Sequence, residues 1–111
     1  MSDYEPDYVY MIPLVYKTRE FYYENITHVP ARIRGAFLTD EETKDKIDFE
    51  IVGPNEHLVF HNVSNECLFD FVVKEPGQYR IVFNNRYTNT DVKVTFTMNT
   101  AQNNMLKKES W

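Results

Sequence analysis

The run Glu75-Pro76-Gly77-Gln78-Tyr79-Arg80-Ile81-Val82-Phe83-Asn84-Asn85, followed by Val92-Lys93-Val94-Thr95-Phe96-Thr97-Met98, constrains this chain more than any other stretch. Successive side chains of a strand point to opposite faces, so Tyr79, Ile81 and Phe83 share one side. Val92, Val94, Phe96 and Met98 share another, with Lys93, Thr95 and Thr97 turned outward. Pro76-Gly77 supplies a turn before the first strand, because proline presets one backbone angle and glycine tolerates the next. The polar segment between the two strands reads as the turn of a β-hairpin closing a small antiparallel sandwich. The stretch holds no nucleophile, no cluster of metal ligands and no phosphate loop. It points to a module that binds rather than one that catalyses.

The same period-two alternation recurs upstream, broken by turn signals every 8–12 residues or so. Residues 8–16 are apolar on both faces. That fits a strand buried on both sides, or one bent at Pro13 from one sheet to the other. Pro13 also marks this strand as the candidate edge, since it cannot donate to a ladder. Lys17-Thr18 reads as a turn. Residues 20–26 form a second strand through Phe21-Tyr22-Tyr23, and residues 31–39 a third, with Ile33 and Phe37 on one face beside Gly35. Residues 46–52 alternate Ile47, Phe49 and Ile51 against Asp48 and Glu50. Gly53-Pro54-Asn55-Glu56 is a turn, and residues 57–62 and 67–73 are two more strands. The fold class is therefore all-β, an antiparallel β-sandwich of about eight strands. Residues 1–7 read as an acidic lead-in, 8–99 as the sandwich, and 100–111 as a polar tail in which 105–111 has the look of a helix start.

Composition narrows the function. A chain of 111 residues makes one domain. Its aromatic content of 15% and its scarce glycine (3) favour strands and argue against disorder. A net charge of −5 disfavours nucleic acid, which is held by neutralising phosphates, and anionic membrane surfaces. No stretch approaches the ~20 apolar residues of a membrane span. The acidic start Met1-Ser2-Asp3-Tyr4-Glu5 is unlike a secretory signal. With Cys67 as the one cysteine, no internal disulfide forms. Glu66 and Asp70 flank it with the wrong sign for a reactive thiolate, so it reads as a small buried hydrophobe.

Candidate sites are few. His57 and His61 have a spacing that suits zinc on a helix, but on a strand they stand ~13 Å apart, so one ion cannot bridge them. They read, with His28, as surface histidines. Asp40, Glu41, Glu42, Asp45 and Asp48 lack the glycine and regular spacing of a calcium loop and read as a solvated charge run. No Ser/His/Asp order and no paired-carboxylate context stands out, so neither a catalytic residue nor a cofactor or metal is expected. Asn25-Ile26-Thr27 and Asn62-Val63-Ser64 are N-glycosylation sequons, which makes Asn25 and Asn62 candidate acceptors. Sandwiches host many functions, so a carbohydrate-binding or hydrolytic role stays open, and exposed aromatics in a groove would favour it.

Three runs carry a family resemblance. Glu20-Phe21-Tyr22-Tyr23-Glu24-Asn25-Ile26 resembles an early Glu-Cys-Phe-Tyr-Glu-Asp run. Ile47-Asp48-Phe49-Glu50-Ile51-Val52-Gly53-Pro54 resembles a central strand ending in Gly-Pro or Asp-Pro. Pro76 to Asn85 resembles a Gly-x-Tyr-x-Phe-Cys-Phe-x-Asn strand. In this order they resemble the GOLD (Golgi dynamics) domain, most closely the lumenal domain of the transmembrane emp24-domain cargo-receptor family, over most of residues 8–99. The family carries a disulfide between the first and third runs. The matching positions here are Phe21 and Val82, both apolar.

The resemblance implies a lumenal protein-interaction domain of a vesicle cargo receptor, working between endoplasmic reticulum and Golgi. Its partners would be cargo proteins and related receptor subunits, in a homo- or hetero-oligomer. The alternative is a cytosolic GOLD domain that recruits proteins or lipids to Golgi membranes, a compartment where the missing cysteine pair is no loss. The family's coiled-coil stalk, membrane helix and cytosolic tail are expected outside this sequence, and membrane attachment with them.

Overall fold

A computed structural model describes residues 8–40 and 46–102. The chain forms β1 (Tyr8–Leu14), β2 (Arg19–Ile26), β3 (Ala31–Thr39), β4 (Ile47–Val52), a short 3-10 turn (Pro54–Glu56), β5 (Leu58–Ser64), β6 (Glu66–Val73), β7 (Gly77–Asn84) and β8 (Val92–Gln102). Two four-stranded sheets result, ordered β1-β8-β3-β6 (sheet A) and β2-β7-β4-β5 (sheet B), and every pairing is antiparallel. The expected eight-stranded sandwich is the observed one. β8 runs through Gln102, past the expected limit at residue 99. The lead-in 1–7 and the helix start expected at 105–111 lie outside the described residues.

The expected closing hairpin is not there. β7 lies in sheet B between β2 and β4, and β8 lies in sheet A between β1 and β3. The 85–91 connection crosses from one sheet to the other, and it is longer than hairpin loops commonly are. Asn85, fully buried, anchors it. Its side-chain amide donates to the carbonyls of Leu14 (3.0 Å) and Thr90 (2.9 Å), and its Oδ1 accepts from Thr88 Oγ1 (2.6 Å). Its backbone pairs with the β1–β2 turn, through Lys17 N–H to Asn85 O and Asn85 N–H to Thr18 O. A buried amide with every polar group satisfied fixes one arrangement of these two loops.

The strands stack in facing pairs, and aromatic rings mark each pair. Tyr10 of β1 stacks on Tyr22 of β2 (5.4 Å) and closes one side of the sandwich. Phe96 of β8 meets Phe83 of β7 edge-on (4.9 Å), and Phe37 of β3 meets Phe49 of β4 (4.8 Å). Phe60 of β5 packs on Phe69 and Phe71 of β6 and closes the other side. Tyr79, Ile81 and Phe83 are buried as the alternation requires, and so are Val92, Val94, Phe96 and Met98. Gly35 is where β3 admits a ring. A Cβ there would stand 2.5 Å from Phe69 Cζ and 2.4 Å from the backbone oxygen of Thr97.

β1 is an edge strand, paired with β8 alone. It is not buried on both sides. Ile12 and Leu14 point inward, while Val9, Met11 and Val15 are exposed. Burial on both faces would need a third layer, and two sheets supply none.

Candidate functional site

Alternation along β1, β8, β3 and β6 leaves one surface of sheet A outside the core, and large apolar side chains stand exposed on it among charged ones. Register lines up Val9, Thr97, Ala36 and Leu68 in one row across the four strands. Met11, Thr95, Leu38 and Glu66 form the next row. Leu68 is 86% exposed and Met11 71%, and Val9 and Leu38 are also exposed. A hollow of about 320 Å³ lies beside Leu68, floored by Gly35 and Ala36 and bounded by Arg34 and Asp70. The Arg32 guanidinium grips both oxygens of Asp70 (2.9 and 2.7 Å) at the rim and holds that carboxyl below its ordinary range. Large apolar side chains gathered on one face with a charged rim are the composition of a protein-docking surface.

The outer face of sheet B is different in kind. Phe21 of β2 stands directly opposite Val82 of β7, so the two positions singled out by the family's disulfide are register partners. Directly opposed residues have Cα atoms ~4.5–5.5 Å apart, within disulfide reach. Phe21 is half exposed, under the Arg19 guanidinium (5.4 Å), and Val82 is buried.

Beside them lies a polar group of residues. Asp48, expected in a solvated run, is buried with its side chain 3% exposed. Its Oδ1 meets His61 Nε2 at 2.7 Å and its Oδ2 meets the Arg86 guanidinium at 2.5 Å. The Asp48 charge, first among the causes, raises the pKa of Arg86 above its ordinary value. Glu50, two residues along β4, faces the same way and pairs in register with His61. Donor atoms of Asp48, Glu50 and His61 all lie within 4.8 Å of one another. His61 hydrogen-bonds Asp48 and no hydroxyl among the described residues. The sequence offered Asp48-x-Glu50 as a same-face pair, but the histidine that joins them depends on the β4–β5 register.

The remaining expected residues are scattered. His57 ends the 3-10 turn, exposed, rather than lying on β5, and His28 is exposed in the β2–β3 connection. Glu41, Glu42 and Asp45 lie outside the described residues, and Asp40 follows β3. Cys67 is partly buried against the core, and burial raises its thiol pKa. Asn25 is exposed on edge strand β2. Asn62 is half buried on edge strand β5 and accepts a hydrogen bond from Ser64 Oγ.

A sequence model of the emp24/gp25L/p24 family/GOLD matches residues 10–110. The chain belongs to that family. As a GOLD domain it also shares its fold beyond the family. It is similar to the pre-peptidase C-terminal domain of a collagenase from Bacillus anthracis, with a TM-score of 0.66 and 16% identity over 83% of this chain and 88% of that one. At that identity the likeness speaks to the fold alone. None of the curated proteins compared matches the chain. Among the described residues no helix is long and apolar enough to cross a membrane.

Proposed function

We propose that this GOLD domain is the lumenal protein-recognition part of a vesicle cargo receptor working between endoplasmic reticulum and Golgi. Cargo proteins and related receptor subunits are its partners. Membership of the emp24/p24 family supports the setting. The observation that carries the reading is the outer face of sheet A, where Val9, Met11, Leu38 and Leu68 stand exposed together. Such side chains gain by leaving water, at about 25 cal/mol per Å² of apolar surface covered. Catalysis is not part of the proposal.

A second reading, a cytosolic GOLD domain that recruits proteins or lipids to Golgi membranes, draws on a specific observation. Phe21 and Val82 face each other where the resemblance implies a disulfide, and a chain without one suits a reducing compartment. N-glycosylation separates the two. Asn25, exposed on β2, is the proposed acceptor, and Asn62 the less accessible one. Full-length protein made in a eukaryotic cell is treated with an N-glycosidase, with Asn25→Gln alongside. A mobility shift abolished by the substitution supports the lumenal reading. An unmodified chain that is digested by protease outside intact microsomes supports the cytosolic one.

A further inference from the structure

We propose that Asp48, Glu50 and His61 form a binding site for a divalent first-row transition ion of the zinc class, on the outer face of sheet B. The site is independent of the apolar face of sheet A.

The strands fix its geometry. β4 is flanked on both sides, by β7 and β5, so Asp48 and Glu50 stand on a backbone held by two ladders. His61 is the cross-strand partner of Glu50. The donor atoms already lie within 4.8 Å of one another, with Asp48 Oδ1 and His61 Nε2 at 2.7 Å. Ligands sharing one ion through bonds of about 2.0–2.2 Å stand at most about 4 Å apart. Loading replaces the Asp48–His61 hydrogen bond: the Nε2 proton leaves to solvent, or the ring takes the Nδ1–H tautomer, as the ion enters, and rotation of the Glu50 side chain brings in the third ligand without moving a strand.

Three further features point to a cation. Glu50 is half buried, and no hydrogen bond to its carboxylate occurs among the described residues. Arg86 offsets the charge of Asp48 directly, whereas Arg80 acts on Glu50 only through space, so the Glu50 oxygens stay available to an ion. Arg86 occupies Asp48 Oδ2 and leaves Oδ1 turned to His61, as an outer hydrogen-bond partner does for a ligating carboxylate. A hollow of about 180 Å³, lined by Asp48, Glu50 and Asn84 and by two arginines, Arg19 and Arg86, has room for the waters that complete coordination.

The donor set selects the ion. One imidazole with two carboxylates suits zinc and its neighbours, whereas calcium takes six to eight oxygens and gains little from imidazole. Because Arg86 already pairs with the buried carboxylate, the fold does not depend on the ion. Arg86 also repels an incoming cation, so this is a site that loads reversibly rather than a permanent structural centre.

The test titrates the chain with zinc chloride by calorimetry and follows the histidine ring protons by NMR. One ion per chain is expected, with the His61 signals moving and those of His28 and His57 unmoved. His61→Ala and Glu50→Gln change outward-facing residues and keep the fold, which thermal melts verify. Each should weaken binding by about tenfold or more. Absence of saturable binding, binding unchanged in both variants, or loss of binding in His57→Ala or His28→Ala instead would overturn the proposal. So would calcium binding as tightly as zinc and surviving His61→Ala.

Discussion

Replacing Phe21 and Val82 with cysteine together tests the register between β2 and β7. The two residues are directly opposed, so a bridge should form without backbone movement. It would close a loop of about 60 residues, for which the chain-entropy treatment gives about 4 kcal/mol and engineered bridges commonly deliver about 2–4. The substitutions remove packing as well. Val82 is buried and loses roughly a methylene, ~0.8 kcal/mol, while Phe21 is already 41% exposed. Comparing the oxidised with the reduced form of the same double variant cancels that loss. At about 4 °C per kcal/mol for a domain of this size, the oxidised form should melt roughly 8–16 °C higher. The assay is a thermal melt with and without reductant, beside a free-thiol count. One free thiol, that of Cys67, should remain after oxidation. Three free thiols in the folded, oxidant-treated protein would refute the register. A bridge that forms but lowers the melting temperature would refute the unstrained geometry.

Three smaller predictions concern the rest of the fold. Phe49 is fully buried among the rings of Phe37, Phe60, Phe69, Phe83 and Phe96, so Phe49→Ala should cost about 3–5 kcal/mol in a urea titration. Asn85→Ala leaves the Leu14 carbonyl and Thr88 without their buried partner, and about 1–3 kcal/mol should be lost, with exchange of the Lys17 amide accelerated. Hydrogen bonds from Arg32 and Arg80, as the leading cause, hold the carboxyls of Asp70 and Glu56 below their ordinary 3.8 and 4.5. Depressed carboxyl pKa values give a stabilisation that is complete above the ordinary values and lost as pH falls through the folded ones. Melting temperature should therefore drop on the acid side, and less steeply in an Asp70→Asn, Glu56→Gln double variant.

The strands were legible in the sequence because a half-buried strand writes its two faces as alternation. Ile47, Phe49 and Ile51 against Asp48 and Glu50 is such a record, and the bounds of β3 were read at 31–39 as observed. What alternation cannot encode is the partner. β7 and β8 looked like a hairpin because each has an apolar face, and either pairing buries it. The outcome turned on Asn85 and the length of the 85–91 crossover. The same blindness hid the polar group on sheet B. Asp48 read as part of a charge run, and nothing in the sequence brings His61 and Arg86 to it. Only β4 and β5, among the described strands, are both consecutive and hydrogen-bonded, so most neighbours in space are far apart in the chain. The Phe21–Val82 opposition was reached through the family resemblance rather than through periodicity.

The central claim is that the outer face of sheet A recognises proteins in transit. The measurement that tests it most directly compares the secreted proteins of cells carrying full-length wild type with those carrying Met11→Lys, Leu68→Lys. Both residues are strongly exposed, so the variant should fold and melt like wild type. A defined subset of secreted proteins should then be delayed in leaving the endoplasmic reticulum while the rest move normally. An unchanged secretion profile from a folded, correctly located variant would contradict the account.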